Sequence, residues 1–262
     1  MTPVELRIRG ISGMPRVRAG DDLGALLADA IGRSGEVLRE GDVMVVAQKV
    51  VSKAEGRIVR LTDLVPSPRA VELAAKTEKD PRAVEAILGE AVEVLRAVPG
   101  VLIVETRHGI ILANAGADMS NIEHDEEDDH LLLLPEDPDA SADRLRSALD
   151  AGGGGARIGV IVADSVGRAW REGTVGLAIG VSGLPARLDR RGERDFYGRE
   201  LHVTEVAIAD SIASAASIVM GEGAEGRPAA LVRGLSFDDR SGAERAGRAR
   251  DLVRPRERDL FR

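Results

Sequence analysis

Hydrophobic and polar positions follow two different periods along this chain. Leu23, Leu27 and Ile31 recur at the spacing of one helical face, and Asp22 precedes them as a capping residue, so a helix is predicted there. A second helix is predicted from Asp80-Pro81 to about Arg96, because proline suits the first helical position. Further helices are predicted over 139–149 and 203–219. Strands are predicted over 6–8, 42–51, 101–105, 110–113, 157–163, 177–181 and 228–232.

The order of these elements predicts an α+β fold, in which helices flank mixed or antiparallel sheets. The chain lacks a Gly-x-Gly-x-x-Gly segment after a first strand and a phosphate loop with an invariant lysine, so any nucleotide site must be of another kind. We expect one main domain over residues 1–240. The flexible stretch Gly152–Gly155 is a candidate boundary between subdomains. Residues 241–262 are charged and predict a peripheral helix and tail.

Composition narrows the class of protein. Hydrophobic residues make up 44% of the chain and aromatic residues only 2%, so the core must be aliphatic. Few aromatics and a net charge of -8 argue against a nucleic-acid partner. The absence of cysteine excludes disulfides, thiolate zinc sites and a cysteine nucleophile. No signal peptide or long apolar run is evident, so we expect a cytoplasmic protein without a membrane partner.

Two acidic segments are candidates for holding a hard cation. The stretch 114–121 follows an apolar strand and places Asp118 among amides near a glycine, while Asp164 and Ser165 follow the strand over 157–163. Mg²⁺ prefers such oxygen ligands, and one or two carboxylates suffice when phosphates supply the rest. The alternatives are a polar turn and a helix cap. Just beyond, Arg168 and Arg171 could grip phosphate or carboxylate groups, and the single tryptophan, Trp170, is either part of this site or core.

Two further segments could contact an anion. If the strand over 42–51 continues, alternation places Lys49 and Lys53 on one side, which suggests an anionic ligand or an edge strand protected by lysines. The glycine-rich stretch 220–226 could bring backbone N–H groups to phosphates, with Glu222 completing a metal site; otherwise it is an ordinary helix stop. The acidic run from His124 to His130 imitates a metal cluster but is typical of a solvated loop.

Eight segments in order resemble one family, the coenzyme F420-0:L-glutamate ligases, also called gamma-glutamyl ligases. They run from about Ile8 to Leu235 and read Gly-Asp-Asp-Leu (20–23), Val-Ser-Lys-Ala-Glu-Gly-Arg (51–57), Asn-Ala-Gly-Ala-Asp-Met-Ser-Asn (114–121), Leu-Leu-Pro-Glu-Asp-Pro-Asp (133–139), Asp-Ser-Val-Gly-Arg (164–168), Val-Gly-Leu-Ala-Ile-Gly (175–180), Asp-Phe-Tyr-Gly-Arg-Glu-Leu (195–201) and Val-Arg-Gly-Leu (232–235). Ser165 stands where many members have threonine, which keeps the hydroxyl. The chain resembles the form without a C-terminal flavin-binding domain.

The resemblance implies a GTP-dependent ligase that adds L-glutamate to coenzyme F420-0, with two Mg²⁺ or Mn²⁺ ions and K⁺. It implies two intertwined subdomains in a homodimer. Metal ligands of the family match Asp118, Asp164, Ser165 and Glu222. Nucleotide-contacting positions match Gly13, Met14, Pro15, Arg16, Lys53, Asn121, Met220, Gly221, Gly223, Ala224, Glu225 and Gly226, to which we add Gln48 and Lys49, although that pair varies within the family.

The implied mechanism passes through an acyl phosphate, for which Arg168 and Arg171 are candidates to grip the anionic substrate. Two rivals stay open at this point. One is an amide ligase of the same fold that acts on a different carboxylic acid. The other is a regulatory protein that binds nucleotide or metal without ligating anything, against which the two intact carboxylates Asp118 and Asp164 count.

Overall fold

The computed structural model of the protein describes residues 5–122, 129–152, 155–235 and 247–259. The helices in these ranges are α1 (Leu23–Arg33), α2 (Gln48–Ala54), α3 (Pro68–Thr77), α4 (Pro81–Glu90), α5 (Pro138–Gly152) and α6 (Ile208–Met220). The strands are β1 (Arg7–Ile11), β2 (Val43–Ala47), β3 (Ile58–Arg60), β4 (Ala91–Val98), β5 (Val101–Thr106), β6 (Ile111–Ala113), β7 (His130–Leu132), β8 (Gly159–Arg168), β9 (Arg171–Ser182), β10 (Leu188–Asp189), β11 (Glu205–Val206) and β12 (Ala229–Arg233).

Five strands form a central mixed sheet in the order β1-β12-β2-β8-β9. β2 and β8 run parallel, and the other neighbouring strands run antiparallel. β2 occupies the centre because its residues Val43, Met44, Val45 and Val46 are all buried, as expected for a strand covered on both faces. The sheet therefore confirms the α+β class predicted from the sequence.

Helices cover both faces of this sheet, and the side-chain alternation of β2 shows how. Met44 and Val46 belong to an apolar cluster with α1 and α5. Val43 and Val45 point the other way, into a cluster with α6. Since successive side chains of a strand point to opposite faces, one short aliphatic run supplies both layers of the core.

Smaller sheets lie beside the central one. β4, β5 and β6 form a three-stranded antiparallel sheet, which packs through Leu102 and Val104 against α3 and α4. The predicted pairing of the strands over 101–105 and 110–113 is thus confirmed. β3 pairs with β7, and β10 pairs with β11.

The predicted helix from Asp80 to Arg96 is too long. It ends at Glu90, and residues Ala91–Val98 continue as β4. Val92 and Val94 lie in a stretch that pairs antiparallel with β5, and β-branched residues suit such a pleated surface. The long-range strand pairing therefore overrides the helical pattern of the local sequence.

The predicted strand over 42–51 is also wrong in its second half. The strand ends at Ala47, and α2 begins directly at Gln48. The helix buries Gln48, Val51 and Ser52. Lys49 and Lys53 therefore share one side because they are four residues apart on a helix, and not because they alternate along a strand.

Two other boundaries differ from the sequence prediction. The strands over 157–163 and 177–181 extend into one long hairpin, so Asp164 and Ser165 lie within β8 and not after its end. Helix α6 begins at Ile208, five residues later than predicted, because Glu205–Val206 pairs with β10 instead.

Trp170 and the C-terminal segment complete the comparison between the predicted and the observed elements. Trp170 is 86% exposed at the turn between β8 and β9, so it is not part of the core. Residues 247–259 form the short 3-10 helices Ala249–Leu252 and Arg256–Arg258 where the sequence predicted a peripheral helix. None of the helices in the described ranges has the length and apolar content that crossing a membrane requires.

Candidate active site

Helix α2 brings two lysines to the segment that follows β6. The Nζ atom of Lys49 lies 2.6 Å from Oδ2 of Asp118 and donates a hydrogen bond of 2.6 Å to Oγ of Ser120. One helical turn later, Nζ of Lys53 donates to the backbone oxygen of Asn121. The i, i+4 spacing on α2 thus places both ammonium groups along the stretch 118–121.

The stretch 114–121 is shaped by an unusual backbone. Asn114, Ala115 and Asn121 have left-handed φ angles of 53, 56 and 57 degrees, although none of them is glycine. Such residues are uncommon and concentrate at functional sites. The backbone of Asp118 is fixed by reciprocal N–H···O bonds of 3.0 and 2.9 Å with Leu132 of β7. The carboxylate of Asp118 is therefore held in a fixed place.

Several groups stabilise the charged form of Asp118. The N–H of Ser120 donates to Oδ1 at 2.7 Å, and the hydroxyl of Ser120 donates to Oδ2 at 2.9 Å. Burial raises the pKa of Asp118, but the hydrogen bonds from Lys49 and Ser120 and the charge of Lys49 outweigh it, so the pKa lies below its ordinary value. Asp118 is consequently ionised at neutral pH.

Asp164 approaches the same place from β8 and has the opposite titration behaviour. Burial raises its pKa to about 6, and the neighbouring Asp118 charge adds to the rise. The N–H of Ser165, the charge of Lys49 and the side-chain amide of Gln48 act against this shift. Two carboxylates from distant parts of the chain are thus close enough to affect each other, with Lys49 near both.

Gln48 is nearly fully buried, with 2% of its surface exposed. Its Oε1 accepts a hydrogen bond of 3.0 Å from the hydroxyl of Ser52, and its side chain hydrogen-bonds Asp164. A buried amide with both ends occupied orients its partner. In this structure, Gln48 therefore positions Asp164 and presents no surface to a ligand.

The glycine-rich segment after α6 contacts β8 at Ser165, the residue that follows Asp164. Oγ of Ser165 donates a hydrogen bond of 2.7 Å to Oε1 of Glu222. Gly221 adopts a φ of 79 degrees and a ψ of 173 degrees, a backbone conformation that is essentially restricted to glycine. The N–H of Gly223 donates to Glu225 at 2.8 Å. Ser165 and Glu222, each predicted from the sequence as a metal ligand, are thereby brought together.

A cavity of about 360 Å³ opens beside Asp118. Apolar side chains of Leu61, Ile87 and Leu131 form part of its wall, and the charged residues Lys79, Asp80 and Asp129 also line it. This volume is within the range of small-molecule sites, roughly 300–1,000 Å³. Space for a ligand therefore adjoins one of the two candidate metal-binding carboxylates.

The other predicted residues lie in two turns. Arg168 and Arg171 pair across the end of the β8–β9 hairpin, four or more residues from Asp164, which is roughly 13 Å along an extended strand. Arg168 donates to the backbone oxygen of Glu172 at 3.1 Å. In the loop 13–16, Gly13 has a φ of 78 degrees, and its carbonyl accepts a bond of 3.0 Å from Arg33 of α1.

The sequence did not reveal that Ser120 holds the carboxylate of Asp118 through two hydrogen bonds. The Asp-x-Ser spacing is the available signal, because an aspartate often accepts a hydrogen bond from the backbone N–H two residues later.

The predicted loop from His124 to His130 lies largely outside the described residues, since the structure does not describe 123–128. His130 itself is buried and begins β7.

The donor chemistry fits a hard divalent cation. Within the described ranges no three histidine, aspartate or glutamate side chains form a group able to hold a metal unaided. Asp118 and Asp164, which lie near enough for their charges to interact, and the hydrogen-bonded pair Ser165 and Glu222 nevertheless offer the oxygen donors that such a cation prefers. The ammonium of Lys49 on Asp118 shows that the place favours a positive charge.

These features define an α+β protein in which Lys49 pairs with Asp118 and lies near Asp164 beside a mixed sheet. The chain belongs to the F420-0:Gamma-glutamyl ligase family, whose model matches residues 12–234.

Full-length relatives share about half of the residues. A protein of Methanothermobacter thermautotrophicus named coenzyme F420:L-glutamate ligase is 48% identical over 254 residues, which cover 97% of each chain. A protein of the same name from Methanopyrus kandleri is 48% identical over 257 residues and 98% of each chain. One from Archaeoglobus fulgidus is 43% identical over 252 residues, 96% of this chain and 94% of the relative.

Proposed function

We propose that this protein is a ligase that joins L-glutamate to coenzyme F420-0 through an amide bond at the expense of GTP. The observation that supports it most is the convergence of Asp118 and Asp164, from different elements, around Lys49. Membership in the gamma-glutamyl ligase family and the names of the full-length relatives support the substrate assignment.

The chemistry starts with two anions that repel each other. A carboxylate oxygen of F420-0 attacks the γ-phosphorus of GTP, the bond to the bridging oxygen breaks, and GDP leaves. The amine of glutamate then attacks the acyl carbon, inorganic phosphate leaves with the C–O bond electrons, and the nitrogen loses a proton. A site that gathers positive charge beside the phosphates lowers the barrier of the first step.

Four residues are the proposed holders of two Mg²⁺ or Mn²⁺ ions: Asp118, Asp164, Ser165 and Glu222. When bound, such ions supply charge neutralisation and alignment of the phosphates. Around them, Gln48 keeps the carboxylate of Asp164 oriented, and Ser120 does the same for Asp118. K⁺ is a further proposed ion, for which we assign no residue.

The proposed phosphate contacts come from three elements. On α2, Lys49 and Lys53 present ammonium groups beside Asn121. The left-handed turn at Gly221 leads into the glycine-rich segment 220–226, whose small residues let a ligand approach the backbone. The loop 13–16 is the third proposed contact. A homodimer with two intertwined subdomains is also part of the proposal and rests on the family alone.

Arg168 and Arg171 are proposed to bind an anionic group of the substrate. The hairpin that carries them extends beyond Asp164, so they would meet a group distant from the reacting carboxylate. The cavity beside Asp118 offers room for an apolar part of the acid substrate, while its carboxylates Asp80, Asp118 and Asp129 outnumber Lys79 and disfavour a negative group there.

The deciding experiment supplies the protein with GTP, L-glutamate, Mn²⁺ and F420-0 and follows products by mass spectrometry. We expect F420-0 to gain glutamyl units while GDP and phosphate appear in equal amounts. Reactions without glutamate, or with ATP in place of GTP, are the controls. GTP hydrolysis at the same rate without either acceptor would favour a regulatory nucleotide-hydrolysing protein, and ligation of another acid in place of F420-0 would favour a different amide ligase.

A further inference from the structure

Lys49 pairs directly with Asp118, a proposed metal ligand, and phosphate binding by itself would not require this contact. Its ammonium lies 2.6 Å from Oδ2 of Asp118 and 2.6 Å from Oγ of Ser120. Its side chain is 26% exposed and that of Asp118 37%, so the pair is partly shielded from water. Oδ2 of Asp118, a proposed metal ligand, is therefore already occupied by a cation of the chain itself.

The neighbourhood explains why a cation belongs there. Asp164 lies near enough to Asp118 and Lys49 for both charges to act on it. Two carboxylates that lie close together repel each other, and a positive charge near both lowers that cost. The position of Lys49 on the first turn of α2, directly after the buried strand β2, fixes the start of its side chain.

We propose that Lys49 is a built-in counter-ion that holds Asp118 while no divalent ion is bound and yields this carboxylate to the ion when GTP arrives. The inference rests on the proposed function, because it needs a divalent ion and a phosphorylated ligand at this site. A lysine side chain suits the exchange, since its compact ammonium sits on a flexible four-carbon stem and can turn from carboxylate to phosphate.

A thermodynamic coupling follows from the exchange. Without nucleotide, Lys49 competes with the divalent ion for Asp118 and repels it, so binding of the bare ion is weakened. With GTP present, the phosphates accept the ammonium, and the competition ends. Ion and nucleotide must therefore strengthen each other's binding, and the coupling is reciprocal. Lys49 is therefore a positioning residue, which lowers the affinity of the site for a divalent ion while no nucleotide is bound.

The test measures free Mn²⁺ by electron paramagnetic resonance in titrations of wild type, Lys49→Met and Lys49→Arg, first with Mn²⁺ alone and then with GTP. We expect Lys49→Met to bind Mn²⁺ alone on the order of tenfold more tightly, which corresponds to roughly 1.4 kcal/mol. In the same variant GTP should tighten Mn²⁺ binding less than it does in wild type, because the phosphates still ligate the ion but no longer relieve a competition with Lys49. Lys49→Arg keeps the charge and should bind Mn²⁺ alone as weakly as wild type.

Lys53→Met is the matched control, because it removes an equal charge from the same face of α2, one turn further on. One hydrogen bond of Lys53 goes to the backbone oxygen of Asn121 and not to a proposed metal ligand, so the affinity of Lys53→Met for Mn²⁺ alone should change much less. The proposal is overturned if Lys49→Met binds Mn²⁺ alone no better than wild type, if neither binds it, or if Lys53→Met gains as much. Thermal unfolding of each variant verifies that it is folded.

This outcome is separable from that of the proposed function. The titrations use neither F420-0 nor glutamate, so a failed ligation assay leaves the exchange between Lys49 and Mn²⁺ intact. Conversely, a successful ligation assay together with unchanged Mn²⁺ affinity in Lys49→Met would leave the ligase standing and remove the counter-ion.

Discussion

Ser165 in β8 donates a hydrogen bond of 2.7 Å to Glu222, 57 residues further along the chain. The bond ties the segment after α6 to the central sheet at the residue next to Asp164. Two proposed metal ligands are thereby held at a fixed separation before any ion binds, which is the preorganisation that a charged transition state requires.

Removing this hydroxyl should weaken turnover more than folding. We expect Ser165→Ala to lower kcat on the order of tenfold, because Glu222 loses its partner and the hydroxyl oxygen is no longer available as a ligand. Ser165→Thr keeps the oxygen on a residue that suits a strand, and should stay within about twofold of wild type. Steady-state kinetics at saturating Mn²⁺ decides; equal losses in the two variants would assign the effect to packing.

The carboxylates Asp118 and Asp164 should each be indispensable for the reaction. Asp118→Asn and Asp164→Asn remove negative charge where the proposed ions sit while keeping side-chain size, so each should fold and lose at least roughly a hundredfold in kcat. Glu72→Gln, on the exposed face of α3, is the control and should keep full activity. Near-wild-type turnover of either site variant would disprove the proposed metal site.

The cavity beside Asp118 should determine affinity for the acid substrate. Ala83 of α4 lies in its wall, and Ala83→Leu would fill part of the 360 Å³ while preserving helix propensity. We expect KM for F420-0 to rise at least about fivefold, while Mn²⁺ affinity stays unchanged. Ala75→Leu on the exposed side of α3 is the matched control. A KM that does not respond would place the acid elsewhere.

The order of the two steps can be read from isotope exchange. Because the carboxylate is the nucleophile at phosphorus, GTP cleavage should need F420-0 and not glutamate. GTP labelled with ¹⁸O at the γ-phosphate bridge should therefore scramble its label with F420-0 alone, because the β-phosphate of bound GDP rotates before the acyl phosphate returns its phosphoryl group. Scrambling that begins only after glutamate is added would contradict an acyl phosphate.

Stability should depend on a buried charge cluster away from the site. Glu36 accepts hydrogen bonds from Arg7 and Arg9, both of 2.6 Å, and is also paired with Arg233. Burial alone would raise the pKa of Glu36, but these arginines outweigh it and lower the pKa below 4.5. A lowered folded-state pKa means that the stabilisation is complete above about pH 4.5 and is lost as the pH falls through the folded-state value.

Glu36→Gln should consequently lower the free energy of unfolding at pH 7 by about 2 kcal/mol, less than for a fully buried pair because Arg7 and Arg9 are about half exposed. The difference from wild type should shrink as the pH falls below 4.5. Urea unfolding across this range measures it, with the exposed Glu40→Gln as the control that should change little. A difference that is constant with pH would show that packing, and not charge, is responsible.

Local sequence was sufficient for features that depend on short-range pattern. The α+β class, helix α1 and the pairing of β5 with β6 were predicted from hydrophobic periodicity and turn residues, and the structure confirms them. Asp118 and Asp164 were singled out because carboxylates near strands suggest a metal site, and the structure places them near each other. Their role in binding metal stays a prediction.

Tertiary structure decided what depends on contacts between distant residues. The stretch after Ala47 contains β-branched residues that suit a strand, yet it turns into α2 and buries Val51 and Ser52. The stretch after Glu90 continues a helical pattern, yet it pairs with β5. In both places the free energy of packing exceeds the small differences in local propensity, which are below about 1 kcal/mol per residue. The meeting of Lys49 with Asp118 depends on that outcome, because only the helix directs this lysine toward a carboxylate 69 residues away.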